Sequence, residues 1–190
     1  PYAIGHLKMS FLLEELGYRL NDNERFKLYL TNTLEMEELR QISIPGLSSL
    51  SEESHLAGKV KKEKPILVIL GNPPYSGISL NPGEREQLVK KGERYVTAYY
   101  WNAEKGCVDK KYSSTLTKDT KKRQKTFIGD ILMDYYFVDG NPLGEKNPKW
   151  LQDDYVKFIR FAQWKIQMDG AGIVGMITNH SYLDNPTFRG

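Results

Sequence analysis

The stretch Ile66-Leu67-Val68-Ile69-Leu70-Gly71-Asn72-Pro73-Pro74-Tyr75 decides how the chain is read. Five branched aliphatics in succession suit a strand covered on both faces, as in a parallel sheet. The run halts at Gly71. The two prolines that follow fix φ and remove N–H donors, so the turn offers carbonyl acceptors. Asn72 adds a side-chain oxygen beside them, and Tyr75 adds a π-face. Acceptors next to an aromatic face suit a planar ring that bears an amino group. The lone pair of such an amine is delocalised into the ring. Two acceptors that draw its hydrogens out of plane free that lone pair for attack, a positional and electrostatic form of catalysis.

Working outward, residues 172–177 (GIVGMI) predict a second buried strand, followed by Thr178-Asn179-His180. Between the two, Leu151, Tyr155, Phe158, Ile159, Ala162 and Ile166 form a helical stripe. Asn147-Pro148 reads as its N-cap with Pro at the first helical position, and Asp169-Gly170 as its end. Phe158, Phe161 and Trp164 read as core aromatics, and Asp153-Asp154 as acids in the first turns, where the helix dipole favours them. Upstream, Ile4, Leu7, Phe11, Leu12 and Leu16 predict an amphipathic helix that stops at Gly17. Residues 25–30 (RFKLYL) alternate as a strand, residues 35–40 suggest a helical turn, and Ile44-Pro45-Gly46 breaks it. A helix starts at Ser51 and frays by residues 61–64. Loops and short helices are expected over residues 76–140. The alternation of helices and strands predicts an α/β fold with a parallel sheet. Ligands of such sheets gather beyond the carboxyl ends of the strands, where residues 72–75 and 179–180 both fall.

Composition narrows the function classes. The 190 residues are 39% hydrophobic and 27% charged, a globular balance for one domain or a piece of a larger one. The chain begins at Pro1 inside a helix-like pattern and stops soon after a strand, so it is expected to be cut from a longer polypeptide. A net charge of +3 permits nucleic acid without demanding it. The single Cys107 excludes an internal disulfide framework, and His6, His55 and His180 are too scattered for a His-based metal site. His180 and Cys107 read as bystanders. No apolar run approaches a membrane span and no secretory signal opens the chain, so a cytoplasmic protein is expected. Residues 110–125 carry Lys110, Lys111, Lys118, Lys121, Lys122, Arg123 and Lys125 among Ser and Thr. That stretch reads either as a solvated loop or as a set of contacts to DNA phosphates.

The tetrad Asn72-Pro73-Pro74-Tyr75 resembles the catalytic motif of amino-methyltransferases that use S-adenosylmethionine, above all the adenine-N6 DNA methyltransferases. Protein-glutamine methyltransferases and some ribosomal-RNA guanine methyltransferases carry close versions. The wider text is more specific. ILVILGNPPYSG, GEKNPKWLQDDYVKFIRFAQWKI and GIVGMITNHSYLDNPTFRG resemble the methyltransferase region of large single-polypeptide restriction–modification enzymes of the type ISP class. PYAIGHLKMSFLLEELGY and RFKLYLTNTLE resemble the helix and strand that precede the tetrad there.

The resemblance implies a Rossmann-like methyltransferase fold and double-stranded DNA with a flipped adenine as substrate. Asn72 and the Pro73 carbonyl would hold the adenine amino group, Pro74 would complete the turn, and Tyr75 would stack on the base through its ring. Phe188 would stack on the base from another side or pack as a core aromatic. Asn32 would approach the cofactor adenine, or serve only as a turn residue. Lys121, Lys122 and Arg123 would meet DNA. A nuclease, a helicase-like motor and a target-recognition domain would share the parent polypeptide. Two features depart from the family. The glycine-rich cofactor motif is absent, and the acid for the cofactor ribose would lie before Pro1. Of the strand order 3-2-1-4-5, only strands 3, 4 and 5 are expected here. Residues 1–190 would thus be a partial catalytic domain: 1–75 up to the tetrad, 76–147 an insertion with the basic stretch, and 148–190 a helix and strand. The alternatives are a protein-glutamine or RNA methyltransferase, and an inactive DNA-binding fragment.

Overall fold

The computed structural model describes residues 2–21, 24–36, 48–75, 77, 79–146 and 148–188, with the side chains of 48–50 outside that description. The chain is mixed α/β and divides into two compact units. Pro1–Thr33 with Glu37–Lys61 form the first, and Leu34–Met36 with Lys62–Gly190 form the second.

The first unit contains helices α1 (Tyr2–Glu15) and α2 (Ser48–Glu63). α1 ends as expected. Gly17 adopts φ +84°, its N–H bonds to the Glu14 carbonyl at 2.9 Å, and Tyr18 N bonds back to Leu13 at 2.8 Å. The apolar stripe of α1 is exposed rather than buried: Ile4, Leu7, Phe11, Leu12 and Leu16 all face solvent. Helix α2 begins three residues before the Ser51 start expected from sequence. Residues 25–30 are not a strand. Their alternation is real, but a strand exists only through a ladder partner, and none pairs with them among the described residues. Arg25 instead bonds Glu53 and Tyr2 of the same unit. The turn expected over 35–40 and its break at 44–46 fall almost wholly outside the described residues.

The second unit carries the site. Strand β1 (Val68–Gly71) pairs in parallel with β8 (Ile173–Met176), Val68 opposite Ile173 and Gly71 opposite Met176. The parallel pairing is as expected, whereas burial on both faces is not. Leu67, Val68, Leu70 and Ile173 are exposed and Ile69 is half-buried, because β1 has β8 as its one ladder partner among the described residues. Helix α4 (Asp154–Asp169) lies between the two strands in sequence. Its end holds the start of β1: Asp169 Oδ2 accepts from Ile66 N at 2.7 Å, and Oδ1 accepts from Lys165 Nζ at 3.2 Å. Gly172 sits where a Cβ would lie 2.7 Å from the Leu67 carbonyl, so only glycine lets β8 approach β1 here.

The N-cap of α4 is Asp153, whose carboxylate accepts from Tyr155 N at 3.4 Å. Asn147 lies outside the described residues. A 3-10 turn over Lys149–Gln152 intervenes, because Pro148 leads into that turn and not directly into the α-helix. Two apolar clusters form the core. Leu34, Met36, Phe127, Ile128, Phe161 and Trp164 make one; Leu132, Leu143, Leu151, Tyr155, Val156 and Ile159 make the other.

The expected loops over 76–140 are instead largely antiparallel. β2 (Glu84–Val89) pairs with β5 (Thr120–Lys125), and β3 (Val96–Asn102) pairs with β4 (Cys107–Tyr112) between them in sequence. β6 (Phe137–Val138) and β7 (Asn141–Pro142) close a small hairpin. Short α3 (Phe127–Ile131) is capped by Thr126 Oγ1, which accepts from Gly129 N at 3.2 Å. β2 and β5 escape a sequence reading because EREQLV and TKKRQK show no apolar period. Across the ladder Glu84 faces Lys125 and Glu86 faces Arg123, opposite charges that favour the pairing, and Glu86 also pairs with Lys121 at 3.5 Å.

Candidate functional site

β1 and β8 both run toward the tetrad, so their carboxyl ends place residues 72–75 and 177–180 side by side. The register continues one step beyond the strands, with Ile177 N donating to the Gly71 carbonyl at 3.0 Å. Asn72 and Pro74 are exposed and Pro73 is buried. A buried proline between two exposed residues anchors the turn while Asn72 stays accessible. The Tyr75 hydroxyl donates to the Ile177 carbonyl, tying the tetrad to the end of β8. The same oxygen lies 3.4 Å from Asn72 Oδ1, a long contact that leaves that acceptor able to take a better donor.

Tyr75 is not alone. Its ring lies 5.6 Å from that of Tyr155, in the first turn of α4. Tyr155 in turn meets Tyr182 and Phe188, each at 6.3 Å, and Tyr182 and Phe188 are 5.3 Å apart. Tyr182 belongs to α5 (Ser181–Asp184), and Phe188 ends the following 3-10 turn, Pro186–Phe188. Asn179 positions α5, its Oδ1 accepting from Ser181 N at 3.0 Å and Ser181 Oγ at 2.9 Å. Burial raises the Tyr155 hydroxyl above the ordinary tyrosine range, so it stays protonated at neutral pH. Tyr75 and Phe188 thus share Tyr155 as a common neighbour, although 113 positions separate them in sequence. The cavity behind Phe188, lined by Tyr135, Leu151, Tyr182 and Thr187, measures about 10 Å³, room for about one water.

Sequence reasoning misses Tyr155, Tyr182 and the Ile177 carbonyl. In the sequence Tyr155 is only one member of an apolar stripe, and no local pattern marks a contact between residues this far apart. His180 pairs with Asp184 at 2.7 Å on the exposed face of α5. Cys107 is half-buried at the start of β4.

The other predicted residues lie elsewhere. Asn32 belongs to the first unit, where its carbonyl accepts from Lys61 Nζ at 2.9 Å; the tetrad belongs to the second. Lys121, Lys122 and Arg123 stand on β5, which pairs with β2 and not with the strands that carry the tetrad. Lys121 is exposed and 3.5 Å from Glu86. Lys122 sits over the Tyr95 ring at 5.9 Å, and Lys110 over Tyr99 at 5.8 Å. The basic stretch therefore runs from the end of β4 into β5, with Lys110 and Lys122 each over an aromatic ring. Among the described residues, no group of His, Cys, Asp and Glu could hold a metal ion, and no helix is long and apolar enough to cross a membrane. Comparison of the chain with models of protein families, with curated proteins and with solved structures yields no match.

Proposed function

We propose that this chain is the base-binding part of an adenine-N6 DNA methyltransferase, working in the cytoplasm within a single-polypeptide restriction–modification enzyme. One observation carries the reading. An Asn-Pro-Pro-Tyr turn stands at the carboxyl end of a parallel strand pair, with Asn72 exposed and the Tyr75 ring backed by other aromatics. The reading takes β1 and β8 as neighbouring strands of a Rossmann-like sheet. The basic strand β5 favours DNA over a protein acceptor, since phosphate contacts are what such a surface offers.

The residues present fit the base and do not fit the methyl donor. S-adenosylmethionine would supply an electrophilic methyl group. Neither β1 nor β8 is followed by a glycine-rich turn. On the base side, a flipped adenine lies on Tyr75, and stacking on an aromatic ring contributes roughly 1–3 kcal/mol. Asn72 Oδ1 and the Pro73 carbonyl accept the two amino hydrogens. Two prolines fix the turn that carries the Pro73 carbonyl, and with Asn72 Oδ1 it draws the nitrogen toward tetrahedral geometry.

Asn72→Ala in the parent polypeptide is expected to lower the single-turnover methylation rate by about 100-fold, the scale of losing one preorganised polar group. DNA and a release-factor protein serve as rival acceptors of a labelled methyl group. Label on the protein alone, or a wild-type rate in the variant, would overturn the reading.

A further inference from the structure

The first turn of α4 reaches Tyr75 and the segment that follows it. Tyr155 touches the Tyr75 ring, while Asp154 and Lys157, at positions i and i+3 of the helix, hold residues 79–81. Asp154 Oδ1 accepts from Ser79 Oγ at 2.6 Å. Its Oδ2 accepts from Leu80 N at 3.3 Å and from Asn81 Nδ2 at 3.0 Å. Lys157 Nζ donates to Ser79 Oγ at 2.6 Å and to the Asn81 carbonyl at 2.7 Å. Asn81 N donates to the same Ser79 oxygen at 3.0 Å. Asp154 is buried, and Lys157 is completely so.

Burying an ammonium and a carboxylate is costly, and a well-packed apolar pair commonly matches or exceeds it in stability. Burial does hold the Lys157 amine below the ordinary lysine range, opposed by the nearby Asp154 and Asp153 carboxylates. Such a knot achieves fixed geometry, because its donors and acceptors meet in one arrangement. The segment it fixes begins four residues after Tyr75. The N-terminal end of the tetrad is held by the β1–β8 ladder, and Tyr75 at its C-terminal end is tied to Ile177.

We infer that Asp154 and Lys157 are positioning residues, clamping residues 79–81 so that Asn72 and Tyr75 keep the geometry that presents the amino group. The inference rests on the proposed methyltransferase reading. Misplacing a reacting group by about 1 Å costs up to about 100-fold in rate, so a clamp remote from the base has leverage over chemistry.

The test uses the parent polypeptide and DNA carrying 2-aminopurine at the target position. Lys157→Met and Ser79→Ala are expected to slow single-turnover methylation about ten-fold or more and to weaken the flipping signal, with DNA affinity unchanged. In an Asn72→Ala background, Lys157→Met should cost clearly less than it does in the unaltered enzyme, because the part of its effect that runs through Asn72 is already lost. Should Lys157→Met not fold, Ser79→Ala carries the same comparisons, since it leaves the Lys157 bond to the Asn81 carbonyl. Wild-type rates in folded variants would overturn the inference, as would losses that multiply with that of Asn72→Ala. Amide exchange across residues 77–83 reads the clamp without methyl transfer and should quicken in both variants. Unchanged exchange there sinks the clamp, whereas a normal rate in Asn72→Ala sinks the methyltransferase reading alone.

Discussion

Tyr75 does two things with one side chain. Its ring is exposed, which makes it the platform for a base in the proposed function, and its hydroxyl holds the tetrad to the end of β8. The two roles separate by substitution. Tyr75→Phe keeps the ring and removes a hydrogen bond worth about 1 kcal/mol net, so base capture should weaken about five-fold. Tyr75→Ala also removes the stacking surface, a further 1–3 kcal/mol or roughly five-fold to 150-fold. Fluorescence of 2-aminopurine at the target position measures both. Equal damage from the two variants would mean that the hydroxyl alone matters and that the ring is not the platform. The ring and the acceptors are legible in the sequence because they are adjacent in it. The hydroxyl tether, the Tyr155 ring and the Lys157 clamp are not, since each joins residues about seventy to a hundred positions apart.

Among the elements, the insertion departs most from its sequence reading. An apolar alternation betrays a strand only when one face is buried, and β2 and β5 carry charge on both faces. Glu86 opposite Arg123 favours the pairing through charge, which a hydrophobicity pattern cannot register. The helices are more legible: the α4 stripe buries Tyr155, Ile159 and Ala162, and Gly17 and Gly170 end their helices at positive φ. As an ordered strand, β5 presents its cations at fixed spacing. Replacing Lys121, Lys122 and Arg123 by Ala in the parent polypeptide should weaken binding to all DNA alike. The slope of log K against log salt should fall by roughly 0.9 for each phosphate that the variant no longer neutralises. An unchanged slope would return the strand to a purely solvated role.

The β3–β4 hairpin allows a test that needs no DNA. Lys105 Nζ at 2.7 Å, then Lys110 N at 2.8 Å, hold the Asp109 carboxyl down to about 2 from the ordinary 3.8. A depressed carboxyl stabilises the fold above its ordinary value and loses that contribution as pH falls through the folded one. The hairpin should therefore keep this contact at pH 4 and release it near 2, with Lys105→Ala bringing the midpoint back toward 3.8. Carboxyl chemical shifts against pH would show it; a midpoint near 3.8 in the unaltered chain would refute the contact.

For the molecule as a whole, the parallel pair sets the behaviour. Strand β1 has one ladder partner among the described residues, and its apolar side chains are open: Leu70 is 77% exposed and Leu67 65%, with Ile173 of β8 at 67%. Parallel strands elsewhere are covered on both faces, so a pair left open carries apolar surface and unpaired N–H and C=O groups together. Contiguous apolar surface of this kind associates, and a second copy of the chain offers the same surface. Purified residues 1–190 should therefore self-associate with rising concentration, as read by light scattering. Leu70→Lys should suppress the association by placing a charge on the open face, leaving the β1–β8 ladder intact. The same strands set the expectation for cofactor. Backbone can approach a nucleoside closely only where glycine removes the Cβ, and neither β1 nor β8 leads into such a turn. Calorimetry should then show no tight binding of S-adenosylmethionine to residues 1–190, whatever their state of association. Micromolar binding by a clean monomer would mean that the open strand face is self-sufficient and that the donor site is built from residues assigned here to other roles.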